Sequence, residues 1–159
     1  MNSDNQLKPG RLSITCTSAL NIRGRIGNNS TSNESLHHLV FRLGGIEQFS
    51  QVGSQSGHDI LFNNEVISFD LPHPNEDDLE LSIDLRENAT SVVGRATYSL
   101  VANEVLTSSE EMDVTLPILK DGDVTTNSVV NLKTSFTQAK QGVIKLSPQI
   151  YNGQVRIIM

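Results

Sequence analysis

Carboxylates and imidazoles fall together at five places in this sequence, and each suggests its own chemistry. His37 and His38 are adjacent. Neighbours in a strand point to opposite faces, so the two cannot share one small site. His58 precedes Asp59 in the manner of a base and its orienting acid, but on a Ser/Gly-rich loop with no Gly-x-Ser-x-Gly nucleophile motif. "HPNEDD", residues 73–78, sets three acids behind an imidazole and reads as a solvated turn. "DGD", residues 121–123, lacks the later ligands of a calcium loop. Asp84 and Glu87 form the fifth candidate, in a polar loop between the two alternating stretches of "LELSIDLRENATSVVGRATYSL", residues 79–100. That loop is either a metal or substrate site or only a turn.

The lone cysteine, Cys16, excludes an internal disulfide and a multi-cysteine zinc site. Its place in an apolar alternation makes it a small core residue. "RGRIGNN", residues 23–29, has neither the Lys nor the strand–helix frame of a phosphate cradle. No residue is assigned a catalytic role, no cofactor is called for, and the chain is expected not to be an enzyme.

The formal charge of -6 and the scatter of the 12 Lys and Arg disfavour nucleic acid and anionic membrane, which reward clustered cations. Arg23 and Arg25, around Gly24, are the one short basic group. No apolar run is long enough to span a bilayer, and the N-terminus does not read as a signal peptide. The sequons at Asn29, Asn33 and Asn88 then read as polar loop residues of a cytoplasmic chain.

A chain of 159 residues favours one domain with a continuous core. Period-two alternation dominates it. "RLSITCT", residues 11–17, sets Leu12, Ile14 and Cys16 on one face, and residues 37–52 read as a hairpin about Gly44 and Gly45. "NEVISFDL", residues 64–71, directs Val66 and Phe69 inward, with a bulge. "LELSIDL" buries Leu79, Leu81, Ile83 and Leu85 and exposes Glu80, Ser82 and Asp84. Residues 92–100, 112–119 and 128–136 continue the pattern, and one short helical turn is expected within 100–111.

About eight strands separated by Gly, Pro, Asn and Ser clusters predict an all-β protein, an antiparallel eight-stranded β-sandwich over residues 10–138 behind a tail of residues 1–9. Residues 139–159 form a C-terminal extension, a β-hairpin around Asn152 and Gly153. Its apolar Val155, Ile157 and Ile158 are the candidates for binding a protein partner by strand addition. Folding back on the chain's own sheet is an equal alternative.

Order and spacing resemble the C2 domain. "GRLSITCTSALNIRG" is similar to that family's first strand, and "SLHHLVFRLGG" stands where the family has Ser-Asp-Pro-Tyr-Val and a strand. "FNNEVISF" resembles its Trp-Asn-Glu-x-Phe-x-Phe motif, keeping Asn64, Glu65 and Phe69 without the Trp. Val93-Gly94 matches the Ile-Gly dipeptide after its acidic loop. The end strand follows the others, as "SVVNLKTSF", which fits the circular arrangement called type II.

The resemblance implies calcium loops at one end of the sandwich, with "HPNEDD" at the opposite end. It also implies that the calcium ligands are gone. Leu36, Leu85 and Ser91 align with family Asp positions, and Glu87 alone remains as a carboxylate remnant. The basic face that calcium-independent members use for lipid is unsupported as well, since residues 46–69 contain no Lys or Arg. The resemblance thus points to a calcium-independent interaction or scaffold module, a non-catalytic subunit of a larger assembly. Its expected location is cytoplasmic, in solution or peripheral to a membrane or the cytoskeleton. The alternative is a peripheral phospholipid-binding domain, with Arg23, Arg25 and Ile26 as the membrane-loop candidates.

Overall fold

The computed structural model describes residues 7–22, 36–74, 79–88, 91–120 and 127–139. Its first hairpin forms where the sequence places it. Gly44 and Gly45 take φ of 58° and 84°, the positive angles that a two-residue turn between strands demands. They join β2 (His37–Leu43) to β3 (Ile46–Phe49). The other strands are β1 (Gly10–Leu20), β4 (Ser54–Ser56), β5 (Asp59–Leu71), β6 (Glu80–Glu87), β7 (Ser91–Ser99), β8 (Met112–Pro117) and β9 (Val129–Gln138). A five-stranded sheet runs β4-β5-β1-β9-β8 and a four-stranded sheet runs β3-β2-β6-β7, with every pairing antiparallel. The last of these strands lies beside the first in the larger sheet. The ninth strand is the short β4, in a Ser/Gly stretch whose composition reads as turn.

Between the sheets lies a single core in which alternate residues of each strand meet. Leu12, Ile14 and Cys16 of β1 join Leu39 and Phe41 of β2 and Leu81, Ile83 and Leu85 of β6 in one buried cluster. Burial, reinforced by Glu65, pushes the Cys16 thiol up to about 12, so this sulfur is a packing group rather than a nucleophile. At one end the chain from Leu100 to a short 3₁₀ turn (Val105–Thr107) tucks Val105 and Leu106 under the sheets.

Phe69 is buried as expected, but Val66 corrects the sequence expectation: it is exposed, and Ile67 and Leu71 point inward with Phe69. Asn63 and Asn64 both adopt left-handed φ, at 59° and 58°, and the β1–β5 register breaks beside them. Inward positions are even-numbered before this irregularity, at Ile60 and Phe62, and odd-numbered after it. Asparagine tolerates the left-handed region better than most residues, which is why the break sits there.

The corner after β8 explains the Val93-Gly94 dipeptide. Leu119 crosses to the four-stranded sheet and exchanges both backbone bonds with Arg95, at 2.8 and 2.9 Å. A Cβ on Gly94 would run into Ile118 Cγ2 and sit 3.1 Å from the Leu119 carbonyl oxygen. Gly94→Ala should therefore cost about 1–3 kcal/mol through overpacking, read as a lower midpoint in urea unfolding.

Candidate functional site

Two regions could carry function: the end of the sandwich where β6 meets β7, and the outer face of the four-stranded sheet. At the first, Asn88 takes a left-handed φ of 55° directly after β6. Its N–H donates to the Leu36 carbonyl at 2.7 Å, and its Oδ1 accepts from the Leu36 N–H at 3.0 Å. Leu85 is a core residue of β6 with 1% exposure, so no ligand to a bound ion could extend from it without leaving the core. Glu87 is also within β6 and buried, in register with buried His37. Ser91 opens β7 and is exposed. Among the described residues no three His, Cys, Asp or Glu side chains are grouped as a metal ion needs. Arg23, Arg25 and Ile26 lie outside the described residues, as do Asp121, Asp123 and the C-terminal Val155, Ile157 and Ile158.

His58 and Asp59 stand near the same end, where they tie loops together. His58 Nδ1 lies 3.1 Å from the Ile22 carbonyl oxygen, and Asp59 Oδ1 accepts the Asn21 N–H at 3.0 Å. Both contacts are structural ties between segments distant in sequence. His73 lies beyond β5, at the opposite end of the sandwich; residues 75–78 are outside the described set.

The outer face of the four-stranded sheet is organised by Asp84. Register puts Asp84 between Val40 of β2 and Arg95 of β7, with Arg42 one pleat away on β2. Its side chain has no exposed surface. Arg95 Nε donates to Oδ1 at 2.5 Å, Arg42 Nη1 donates to Oδ2 at 3.0 Å, and Arg86 Nη2 stands 3.6 Å from Oδ2. Burial pushes this carboxyl up, but the bonds from Arg95 and Arg42 outweigh it and hold it below the usual aspartate range. Arg42 also donates to Glu47 of β3 at 2.7 Å. Beside the network His38 stacks on Phe49, ring centres 6.2 Å apart. Burial first, and Arg86 second, depress the His38 imidazole.

No family model matches the sequence, and no curated protein matches it. Solved structures do match. A C2 domain-containing protein superposes with a TM-score of 0.65 at 18% identity, covering 89% of this chain and 99% of that one. A C2 domain of plant Extended Synaptotagmin 1 gives 0.64 at 12% identity, covering 86% and 100%. Human GIVD cytosolic phospholipase A2 gives 0.59 at 12% identity, covering 85% of this chain and 17% of that one. The fold is C2-like. Identities this low speak to architecture alone.

The C2-like frame corrects two sequence expectations. Asp84 and Glu87 are strand residues, not loop residues, and neither is exposed. Alternation aims Asp84 outward correctly. What it cannot see is that three guanidinium groups from β2, β6 and β7 close over it. The basic groups of this face likewise come from strands outside residues 46–69. Opposite-sign residues on neighbouring strands were the available signal, and only a known register turns them into a cluster.

Next to the network the face is concave. A groove of about 610 Å³ runs between the Gly44–Gly45 turn and Thr97, with Arg42 and Arg95 set against Glu47 and Glu80. Its charges balance locally. No helix among the described residues is long and apolar enough to cross a membrane.

Proposed function

We propose that this C2-like domain is a calcium-independent protein-interaction module, a non-catalytic part of a larger assembly, and that it binds its partner on the outer face of the four-stranded sheet. The observation that carries this reading is the buried Asp84 carboxylate. It absorbs guanidinium charge that would otherwise face outward, and Glu47 and Glu80 offset the rest. Such a face has little to offer a phosphate-rich surface, whose attraction scales with uncompensated cations. It suits a protein partner, because arginines and aromatic groups with matched charges are the common currency of protein interfaces.

Calcium independence rests on Leu85 and Glu87. Both side chains are built into the sandwich rather than presented to an ion that takes six to eight oxygens. Millimolar calcium is expected to leave the melting temperature unchanged in a thermal scan of the full chain; a rise that grows with calcium concentration would sink this part of the proposal.

One observation favours a second reading, peripheral phospholipid binding. The Arg95 side chain remains 54% exposed despite its bond to Asp84. Sedimentation with phosphatidylserine vesicles, abolished by salt and weakened by replacing Arg95 or the loop residues Arg23 and Arg25, would support that reading. The protein-binding reading expects the chain to stay in the supernatant. Purification of the full chain with its bound proteins, in wild-type form and as Thr97→Arg in the groove, tests it directly.

A further inference from the structure

Among the described residues, one flank of the sandwich has open edges and an apolar surface. β3 is the last strand of its sheet, and β4 covers β5 only over Asp59–Leu61. The hairpin closes on Leu43 and Ile46, and the Ser50 N–H donates to the Leu39 carbonyl, so bonding pairs alternate along β2 and β3. Glu47 and Phe49 must then turn their N–H and C=O groups away from β2, two residues apart, as an incoming strand requires. Ile46, Phe49 and Val52 on this flank, and Val66 on β5 beside it, are four of the eight large apolar residues exposed among the described set.

We propose that residues 143–159 fold back on the same chain and add a strand to the β3 edge. Charge and pattern fit. Residues 140–159 carry Lys140, Lys145 and Arg156 and no acid, whereas the first 139 residues hold nine cations against eighteen acids. On the flank itself Glu65 accepts the Gln51 N–H, while Glu47 and Asp70 already pair with Arg42 and Arg11, so the attraction rests on the net acidity of the rest of the chain. The alternation around Asn152 and Gly153 supplies strands whose apolar residues would cover Phe49 and Ile46.

Reach also fits. The Ala139 N–H donates to the Pro9 carbonyl at the end of the sandwich that holds the Gly44–Gly45 turn. Two strand spacings and one sheet spacing separate β9 from β3, roughly 20 Å, which about six extended residues cross. The free edge of β8 is nearer but less receptive. It ends in Pro117, which has no N–H to give, and carries Asp113 with 85% side-chain exposure. The inference does not depend on the proposed function: an added strand would meet only the Ile46 and Glu47 side of the groove, whereas Ser82, Arg95 and Thr97 lie on β6 and β7, away from the β3 edge.

Amide hydrogen exchange on the full chain tests it. The Glu47 and Phe49 amides are expected to exchange at least tenfold slower than an unprotected peptide, equally at high and at hundredfold lower protein concentration. In a chain carrying Val155→Pro and Ile157→Pro they should reach the unprotected rate while β1 and β6 amides stay slow. Fast exchange in the wild-type chain overturns the proposal. So does protection that survives the prolines, and protection lost on dilution means pairing between copies instead.

Discussion

Replacing Asp84 by alanine is expected to lower stability by about 2–3 kcal/mol, because Arg95 and Arg42 lose their charge-assisted hydrogen bonds to a buried carboxylate while their own side chains can still reach water. Against a typical total of roughly 5–15 kcal/mol this is a large share, and it should drop the melting temperature by roughly 4–12 °C. The Asp70 carboxylate is the contrast. It bonds Arg11 at 2.7 Å, but the two side chains are 70% and 62% exposed, and Asp70→Ala should cost less than about 1 kcal/mol. The pH dependence follows from the sign of the shift. Asp84 is held below its unfolded value, so its contribution is present in full above about pH 4, the unfolded value. It is lost as pH falls through the lower folded value. Urea midpoints of the wild-type and Asp84→Ala chains should converge in acid and separate near neutrality.

The second large effect is at Leu85. If this position were a calcium-ligand site that had merely lost its acid, Leu85→Asp would restore part of the site at little cost. The packing requires the opposite outcome. Leu85 fills the core between Leu39 and Gly94, its register partners on β2 and β7. Truncating a buried leucine costs about 2–5 kcal/mol, and a carboxylate left unpaired there adds several more. The variant should be largely unfolded at pH 7 by circular dichroism, and calcium should not rescue it. Acid should recover part of the fold, since the introduced carboxyl would have a raised folded value and costs least when protonated. A folded, calcium-stabilised Leu85→Asp chain would show that the loop end remains a latent metal site.

Much of the architecture was legible because alternation is a local signal. The faces of β1 and β6 and the glycine turn between β2 and β3 follow from residue order alone. Val66 was misplaced because two consecutive asparagines in the left-handed region shift the parity of β5, and composition does not mark which asparagines will do so. The outer-face network was harder still. Asp84 lies 42 residues from Arg42, and each looks like an ordinary solvated charge until register sets them side by side. Gly94 shows the reverse. Its dipeptide was visible as a pattern, and its reason, the approach of Ile118 and Leu119, appears only in three dimensions.

The most direct test of a calcium-independent protein-binding face is affinity purification of the full chain from its native source, in chelator and in millimolar calcium, with Thr97→Arg in parallel. Thr97 is exposed on β7 in the groove, opposite Ser82, so an arginine there blocks the surface without entering the core. The same protein should be recovered with and without calcium by the wild-type chain and lost with Thr97→Arg. Recovery that needs calcium, or that ignores Thr97→Arg while the chain sediments with anionic vesicles, would contradict the account.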